Sequence, residues 1–369
     1  MTGVRTTAVR SPLELVRSAR PGGSVRSVRP GVFRVDETTP AGWIMQHLRG
    51  GGPATRTMLA ESTGLSASTV NRAVTALLEH GLLRDRPDLA PRGRVGRPHV
   101  PVEVDTERGF LAGIHLGERE TWVVSGDLLG RELHRTTFAT PASAFDVFAA
   151  IGAALRVHES ELQGRQPLWA GLAVGGLYDE HRGALDHPRL GWCEAPVDVL
   201  FRAIVPTPYT VVPYVEAVAE VEYRRFESAF RRRPENWLYL CAEESVSMAW
   251  LVDGLARSSA DDIESFCAAL GPERFDDAGP SPNRAVLLGR AVASVRDVVN
   301  PDVVTLGGEA FTRHGAEREG VSDGYRQRSS YSDVPLRFSE PDDDLRSAAA
   351  LGAASRVMYV DPIGAMQAR

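Results

Sequence analysis

Lysine is absent from this chain of 369 residues, so all 42 basic side chains other than histidine are arginines. A phosphate-binding loop of the Walker type needs a lysine on the phosphates, and the chain therefore has no site of that class. Cysteine is scarce, since only Cys193, Cys241 and Cys267 occur and no two of them have a Cys-x-x-Cys spacing. They indicate neither a disulfide framework nor a clustered zinc site, and we expect a protein of the reducing cytoplasm.

Long apolar runs are also missing. No run approaches the roughly 18 residues that a membrane-spanning helix needs, which excludes the integral membrane proteins. The content of 43% hydrophobic and 24% charged residues is typical of a globular protein. The length leaves room for two or three domains.

Acidic residues are nearly absent from the first 35 residues, where Glu14 stands against seven arginines, although the whole chain has a net charge of -6. Basic side chains supply most non-specific affinity for nucleic acid, so this end is the one to search for DNA chemistry. Residues 1–38 lack sustained periodicity and contain the helix-stopping run Pro21-Gly22-Gly23, which predicts a disordered basic arm. An organellar transit peptide is the alternative for this arginine-rich arm, and the helices that follow disfavour it.

Three short helices are predicted after the arm. The first spans Ala41–Leu48, the second is capped by Thr55, and the third is capped by Ser66 and runs to His80. The turn Thr63-Gly64-Leu65 joins the last two, as in a helix-turn-helix.

The third helix has one apolar stripe, and its remaining positions face solvent. The predicted DNA-contacting side chains of this helix are Ser68, Thr69, Asn71, Arg72 and Thr75, joined by Thr55 and Ser66 at the helix starts. Short hydroxyls, an amide and an arginine reach phosphates and base edges from a helix in the major groove. A three-helix bundle with a merely polar outer face is the alternative, and the spacing and the turn favour DNA binding.

Arginines alternate with glycine and proline in Pro91-Arg92-Gly93-Arg94-Val95-Gly96-Arg97-Pro98. This composition keeps the backbone extended, and we expect a basic wing whose Arg94 and Arg97 reach the minor groove or the phosphates. A solvated linker is the alternative. Residues 39–102 are therefore predicted to form a winged helix-turn-helix domain.

Strands alternate with helices from Val102 onward, which predicts an α/β domain over residues 103–369. The repeated strand-turn-strand opening indicates two similar lobes that face a cleft.

Several further segments occur in a recognisable order. They are Gly113-Ile114-His115-Leu116-Gly117 with Asp127 and Gly130, Gly171 with Gly175-Gly176, Leu190-Gly191-Trp192, Asn300-Pro301-Asp302-Val303 and Leu306-Gly307-Gly308. Together with Leu59-Ala60-Glu61 and the wing, they resemble the ROK family (repressor, open reading frame, kinase). The resemblance implies a winged helix-turn-helix followed by a two-lobed domain of the actin/hexokinase type.

The chain departs from the family kinases at the residues that handle ATP and sugar. The kinases' first loop has the form Asp-x-Gly-Gly-Thr, and His115 and Glu118 stand here at its aspartate and second glycine. The second phosphate turn reads Glu243-Glu244-Ser245, and carboxylates against a polyphosphate are strongly repulsive. Val212-Pro213-Tyr214 replaces the segment of the catalytic aspartate, and tyrosine is a poor base at neutral pH. We expect no kinase activity and no cofactor.

The family's zinc segment would fall between Asp253 and Pro280, where Cys267 is the only cysteine. Structural zinc needs about four nitrogen or sulfur ligands close together, so we expect no metal.

These observations predict a cytoplasmic DNA-binding transcriptional regulator, a repressor rather than an activator, that binds a double-stranded operator as a homodimer. A small-molecule effector, not necessarily a sugar, would lie in a degenerate pocket lined by Gly175, Gly176, Trp192, Tyr214 and Glu216. Three alternatives remain open. The protein could be a sugar-responsive repressor of carbohydrate genes that uses Tyr214 and Glu216 as hydroxyl contacts, a sugar kinase, or a protein in which Trp192 and Tyr214 only fill the core.

Overall fold

The computed structural model describes residues 38–90, 100–230, 234–242, 246–252, 255–258, 282–308, 315–327, 333–340 and 345–368. Five features predicted from sequence lie outside these ranges. They are the basic arm, Arg94, Arg97, the turn Glu243-Glu244-Ser245 and Cys267 with its surrounding segment. The described residues up to Val212 and from Arg346 onward form a first compact unit, and those from Pro213 to Leu345 form a second.

Three helices open the first unit: α1 Pro40–Gly51, α2 Arg56–Thr63 and α3 Ala67–Glu79. Each follows a hydroxyl side chain that accepts a hydrogen bond from a backbone amide of the first turn. The three caps are Thr39, Thr55 and Ser66. The predicted helices are therefore present within a few residues of their expected ends.

Two short antiparallel strands follow, β1 Leu83–Asp85 and β2 Val102–Val104, with Leu83 opposite Val104. The chain between them begins with a 3-10 turn at Pro87–Leu89. The Arg86 amide donates to the Pro101 carbonyl at 2.8 Å, so the predicted wing begins and ends on this pair of strands.

The first unit has a five-stranded sheet in the order β10-β6-β3-β4-β5. Its strands are β3 Gly109–Leu116, β4 Glu120–Gly126, β5 Glu132–Ala139, β6 Gln166–Val174 and β10 Tyr209–Pro213. Strands β3, β4 and β5 are antiparallel, while β6 runs parallel to β3. Further elements of this unit are α4 Ala144–Glu161, α5 Val197–Ile204 and a three-stranded sheet of β7 Leu177–Asp179, β8 Ala184–His187 and β9 Trp192–Ala195.

The second unit has a sheet in the order β13-β12-β11-β14-β15. Its elements are α6 Tyr214–Phe230, β11 Asn236–Ala242, β12 Val246–Val252, β13 Leu255–Ser258, α7 Pro282–Val299, β14 Val303–Gly307, α8 Gly315–Gln327 and β15 Leu336–Phe338. In both sheets the first strand is central, the next two extend it on one side, and the last two lie on the other. The repeat predicted from sequence is confirmed, and the fold class is the α/β class expected.

Helix α9, Leu345–Val360, and helix α10, Pro362–Gln367, return the chain to the first unit. Helix α9 lies directly on the first sheet because two strand positions are glycines. A Cβ atom on Gly113 would lie 2.3 Å from the Ala350 carbonyl oxygen, and one on Gly171 would lie 2.1 Å from the Ala354 nitrogen. Any larger residue at either position would push the helix off the sheet.

None of the helices in the described ranges is both long and apolar enough to cross a membrane.

Candidate nucleic-acid interface

Helix α3 has one buried and one exposed face. Val70, Val74 and Leu77 are buried in the core shared with α1, whereas Asn71 and Arg72 are exposed. Ser68 and Thr75 are exposed with them. The helix therefore presents a donor-rich surface of the kind that enters a major groove.

Thr69 differs from the expectation of a fully exposed side chain. It is half-buried, and its Oγ1 lies 2.9 Å from the Oγ of Ser66, which also lies 2.9 Å from the Oγ of Ser68. The Ser66 hydroxyl is within hydrogen-bond distance of both other hydroxyls, because an N-cap side chain lies beside the side chains of the first turn. Two of the predicted contacts, Thr55 and Ser66, thus have a capping function whether or not they touch DNA.

Acidic partners neutralise the arginines at the base of the wing. The guanidinium of Arg84 lies 2.7 Å from Glu103 and 2.7 Å from Glu107. Arg86 pairs with Asp88 and Glu103, each at 2.6 Å. These pairs hold the stem of the predicted wing in place, while Arg94 and Arg97 lie outside the described ranges and stay predicted contacts.

In the first unit, the position of the kinases' first phosphate loop holds an ion pair. Glu118 Oε2 lies 3.3 Å from the Nη1 of Arg189, which follows β8. Sequence reasoning identified the glutamate and missed its partner, which is 71 residues away and shares no local motif with it.

Two buried histidines, His115 and His187, lie next to the glycines that follow β3 and β6. Leu116 of β3 is in register with Val174 of β6, so Gly117 and Gly175 leave neighbouring strands at the same edge. Burial, and to a smaller extent the positive charge of Arg346, lowers the pKa of the His115 imidazole to about 3. A Cβ atom on Gly175 would lie 3.1 Å from the Nε2 of His187, which is also buried. A neutral imidazole, that of His115, therefore stands where the resemblance places the aspartate of the family kinases.

Asp127 and Gly130, which the resemblance places in the first phosphate loop, form the turn between β4 and β5. Asp127 Oδ1 accepts hydrogen bonds from the amides of Leu129 and Arg131 at 2.9 and 3.0 Å, and Oδ2 lies 2.7 Å from the Nε of Arg131. Gly130 has a φ of 80°. The conformation favours glycine, and the carboxylate is fully engaged in the turn.

The predicted ligand residues divide between the two units. Gly175, Gly176 and Trp192 belong to the first, and Tyr214 and Glu216 begin α6 in the second.

Trp192 is buried in the core of the first unit, and its indole N–H donates to the carbonyl of Ala142 at 2.7 Å. This environment favours the alternative in which Trp192 fills the core. Glu216 Oε1 accepts from the amide and the hydroxyl of Ser258 at 2.8 and 3.0 Å, so its carboxylate caps the edge strand β13.

No group of three or more histidine, cysteine, aspartate or glutamate side chains able to hold a metal ion occurs in the part of the chain that the structure describes.

Comparison with known proteins agrees with these features. Residues 42–87 match the family model of the IclR helix-turn-helix domain. Two transcriptional regulators, from Mycobacterium bovis and Mycobacterium tuberculosis, are 32% identical to the chain over 93% of its length and 91% of theirs.

Among solved structures, a ROK family transcriptional regulator that is a homologue of the E. coli MLC protein has a TM-score of 0.66 at 15% identity, and the match covers 89% of this chain and 98% of that one. A ROK hexokinase from Thermus thermophilus has a TM-score of 0.53 at 19% identity over 67% of this chain and 99% of its own. The hexokinase match shows the shared α/β fold, and the match to the regulator extends over most of the chain. Because these mycobacterial regulators are 32% identical to it over nearly the whole chain, the protein belongs to their family of transcriptional regulators, and it has the fold of the ROK proteins.

Proposed function

We propose that this DNA-binding regulator is a cytoplasmic repressor that binds a two-fold symmetric operator as a homodimer and has no kinase activity. The observation that carries the proposal is helix α3, whose exposed Asn71 and Arg72 stand over a buried apolar stripe. An arginine or an amide side chain in the major groove distinguishes base pairs. Two-fold symmetric operators are read by two-fold symmetric proteins, which is why we assign a dimer.

Recovery of genomic fragments bound by the purified full-length protein tests this function. We expect a small set of fragments that share a palindromic sequence upstream of genes, and we expect the protein to reduce transcription from those promoters in a reconstituted assay. Random recovery of fragments across the genome would contradict sequence-specific binding. Increased transcription would contradict repression and leave the DNA binding intact.

The absence of kinase activity is supported by the first phosphate loop. Glu118 is paired with Arg189 at 3.3 Å, and a phosphate brought to this place would meet a carboxylate and displace the pair. His115 is a poor replacement for the metal-handling aspartate of the kinases, because its buried, uncharged imidazole offers no carboxylate oxygen to a hard cation such as Mg²⁺. A coupled assay with ATP and a panel of hexoses should give no sugar phosphate above the protein-free blank. If sugar phosphate forms, and its rate of formation increases in Glu118→Gly and falls to the blank in Glu118→Lys, the protein is instead a kinase.

A sugar-responsive repressor is the second candidate. The resemblance to a sugar-kinase fold supports it, and the use of Glu216 by β13 argues against the hydroxyl contacts it needs. Thermal-shift screening with monosaccharides, in the natural protein and in Tyr214→Ala, distinguishes the two. We expect no monosaccharide to stabilise either protein. Stabilisation of the natural protein alone would favour the second candidate.

A further inference from the structure

The C-terminal end of helix α9 is capped by Thr39, which precedes helix α1, and by Gln46 within α1. The last carbonyls of a helix have no partner within it and must find one elsewhere. The Val360 carbonyl accepts from the amide of Thr39 at 2.8 Å and from its hydroxyl at 3.0 Å. The Tyr359 carbonyl accepts from the Nε2 of Gln46 at 2.8 Å. Helix α9 is thus completed by residues more than 300 positions earlier in the chain.

Gly42 allows the two helices to approach this closely. A Cβ atom at this position would lie 2.4 Å from the Val360 carbonyl oxygen and 2.9 Å from that of Tyr359. Real Cβ atoms do not approach backbone oxygens so closely, and backbone cannot give way as a flexible side chain can. An alanine would therefore push α1 away from α9.

Tyr359 joins three elements at one point. The guanidinium of Arg49, near the end of α1, stacks on its ring with 4.3 Å between the carbon Cζ and the ring centroid. Its hydroxyl donates to the carbonyl of Leu128, in the turn between β4 and β5. A Cβ atom on Gly130 in the same turn would lie 2.9 Å from Arg49 Nη2. One side chain thereby connects the start of the helix-turn-helix to the first sheet.

The contact continues through the core to helix α3. Helix α10 contacts both α1 and α3, and Ile363 and Met366 pack against their shared core. That core contains Val74 of α3 and also Trp169 of β6, both fully buried. Apolar side chains thus run continuously from the helix-turn-helix to the first sheet in this cluster.

We propose that Tyr359, together with Arg49 and Gly42, positions helix α3 for DNA binding by fixing it to the first sheet. Helices α1, α2 and α3 then move with the first sheet as one body. Strands β3 and β6 lie under α9, and β6 ends beside the predicted ligand residue Gly175, so a shift of these strands reaches α3 through α9. This inference rests on the proposed function, because it concerns the orientation of the reading helix.

The test compares Tyr359→Phe with Tyr223→Phe, both in the full-length protein. Tyr223 is the matched control, since its buried hydroxyl also donates to a carbonyl, that of Pro234 at 2.8 Å, and it belongs to the second unit. Loss of one such hydrogen bond corresponds to about a three- to tenfold change in an equilibrium constant. We expect Tyr359→Phe to weaken binding to a recovered genomic fragment by about that factor while binding to an unrelated duplex stays the same. We expect Tyr223→Phe to alter neither.

Amide hydrogen exchange adds a readout that does not depend on DNA. In Tyr359→Phe, and more strongly in Gly42→Ala, exchange should accelerate in residues 40–51 and 67–79 and stay unchanged in β3 and β6. Equal weakening of both duplexes, or acceleration spread evenly over the first unit, would show a general loss of stability and overturn the proposal. Unchanged exchange and affinity would also overturn it. If the natural protein selects no fragment, the proposed function fails, and the exchange data still decide whether α3 is fixed through Tyr359.

Discussion

Several side chains that the sequence assigns to a binding site make structural hydrogen bonds. Ser66 and Thr55 cap helices, Asp127 closes a turn, and Glu216 caps β13. A hydroxyl that caps a helix and one that binds a phosphate have the same sequence signature, because both accept or donate at a helix start. Sequence alone therefore places these residues correctly on their elements and leaves their function open.

Ser66 allows the capping function to be measured. Ser66→Ala removes the acceptor for the Thr69 amide, which lies 3.2 Å from the serine oxygen. We expect a loss of about 1 kcal/mol in the free energy of unfolding, measured by urea denaturation. Ser66→Asn retains a capping oxygen and should restore most of that loss. Equal stability of the alanine variant and the natural protein would mean that the cap contributes nothing.

The buried imidazole of His158 should make the free energy of unfolding depend on pH. It is fully buried on α4, with Nδ1 2.9 Å from the Ser125 hydroxyl and Nε2 3.0 Å from the Thr136 hydroxyl. Burial, and then the neighbouring His134, lowers the pKa of His158 to about 4 from the ordinary 6.5. The unfolded chain therefore binds the proton more readily than the folded chain does. The stabilisation is present above pH 6.5 and is lost as the pH falls from there to about 4.

Replacement of His158 should reduce the loss of stability as the pH falls from 6.5 to about 4. We expect the urea midpoint of His158→Asn to fall less steeply below pH 6.5 than that of the natural protein, with His115 and the carboxylates accounting for the remaining slope. The exposed His181→Asn serves as the control and should keep the natural slope. Parallel profiles for His158→Asn and the natural protein would contradict the assignment.

At the level of elements, helix caps and apolar stripes predicted the positions of the helices well. No comparable sequence pattern marked the short strands. The helix expected from Ser66 to His80 is Ala67–Glu79, because its cap and its stripe agree. The strands of the wing and of the three-stranded sheet have three or four residues each, too few to show alternation. Helix α4 has no clean stripe, because Phe145 and Val157 are apolar and yet exposed.

The predicted wing leads to an expectation about how DNA affinity depends on salt. If its tip contacts DNA, Arg94→Ala with Arg97→Ala should weaken binding and flatten the dependence of log affinity on log salt by roughly one to two units. Arg156→Ala, an exposed arginine on α4, is the control for loss of charge and should leave the slope unchanged. If log affinity depends on log salt with the same slope in the double variant and in the natural protein, this segment is a linker.

For the whole molecule, the repeat of strand-turn-strand segments was enough to predict two similar sheets. The packing of α1 and α3 against α9 and the first sheet was not predictable, since an apolar stripe says that a face is buried without naming its partner. Val74 and Met358 share one core although 284 positions separate them, and no local pattern connects them. The division into a DNA-binding domain over 39–102 and an effector domain over 103–369 stays a prediction about independent folding.

The central claim is that the exposed face of α3 reads DNA sequence. Titration of a recovered genomic fragment with the natural protein and with Asn71→Ala plus Arg72→Ala tests it most directly, with an unrelated duplex measured in parallel. Each lost bidentate base contact should cost about 1–3 kcal/mol on the selected fragment. The unrelated duplex should lose little, so the preference for the selected sequence should shrink by about tenfold or more. An unchanged preference in the double variant would contradict the claim and place sequence recognition elsewhere on the molecule.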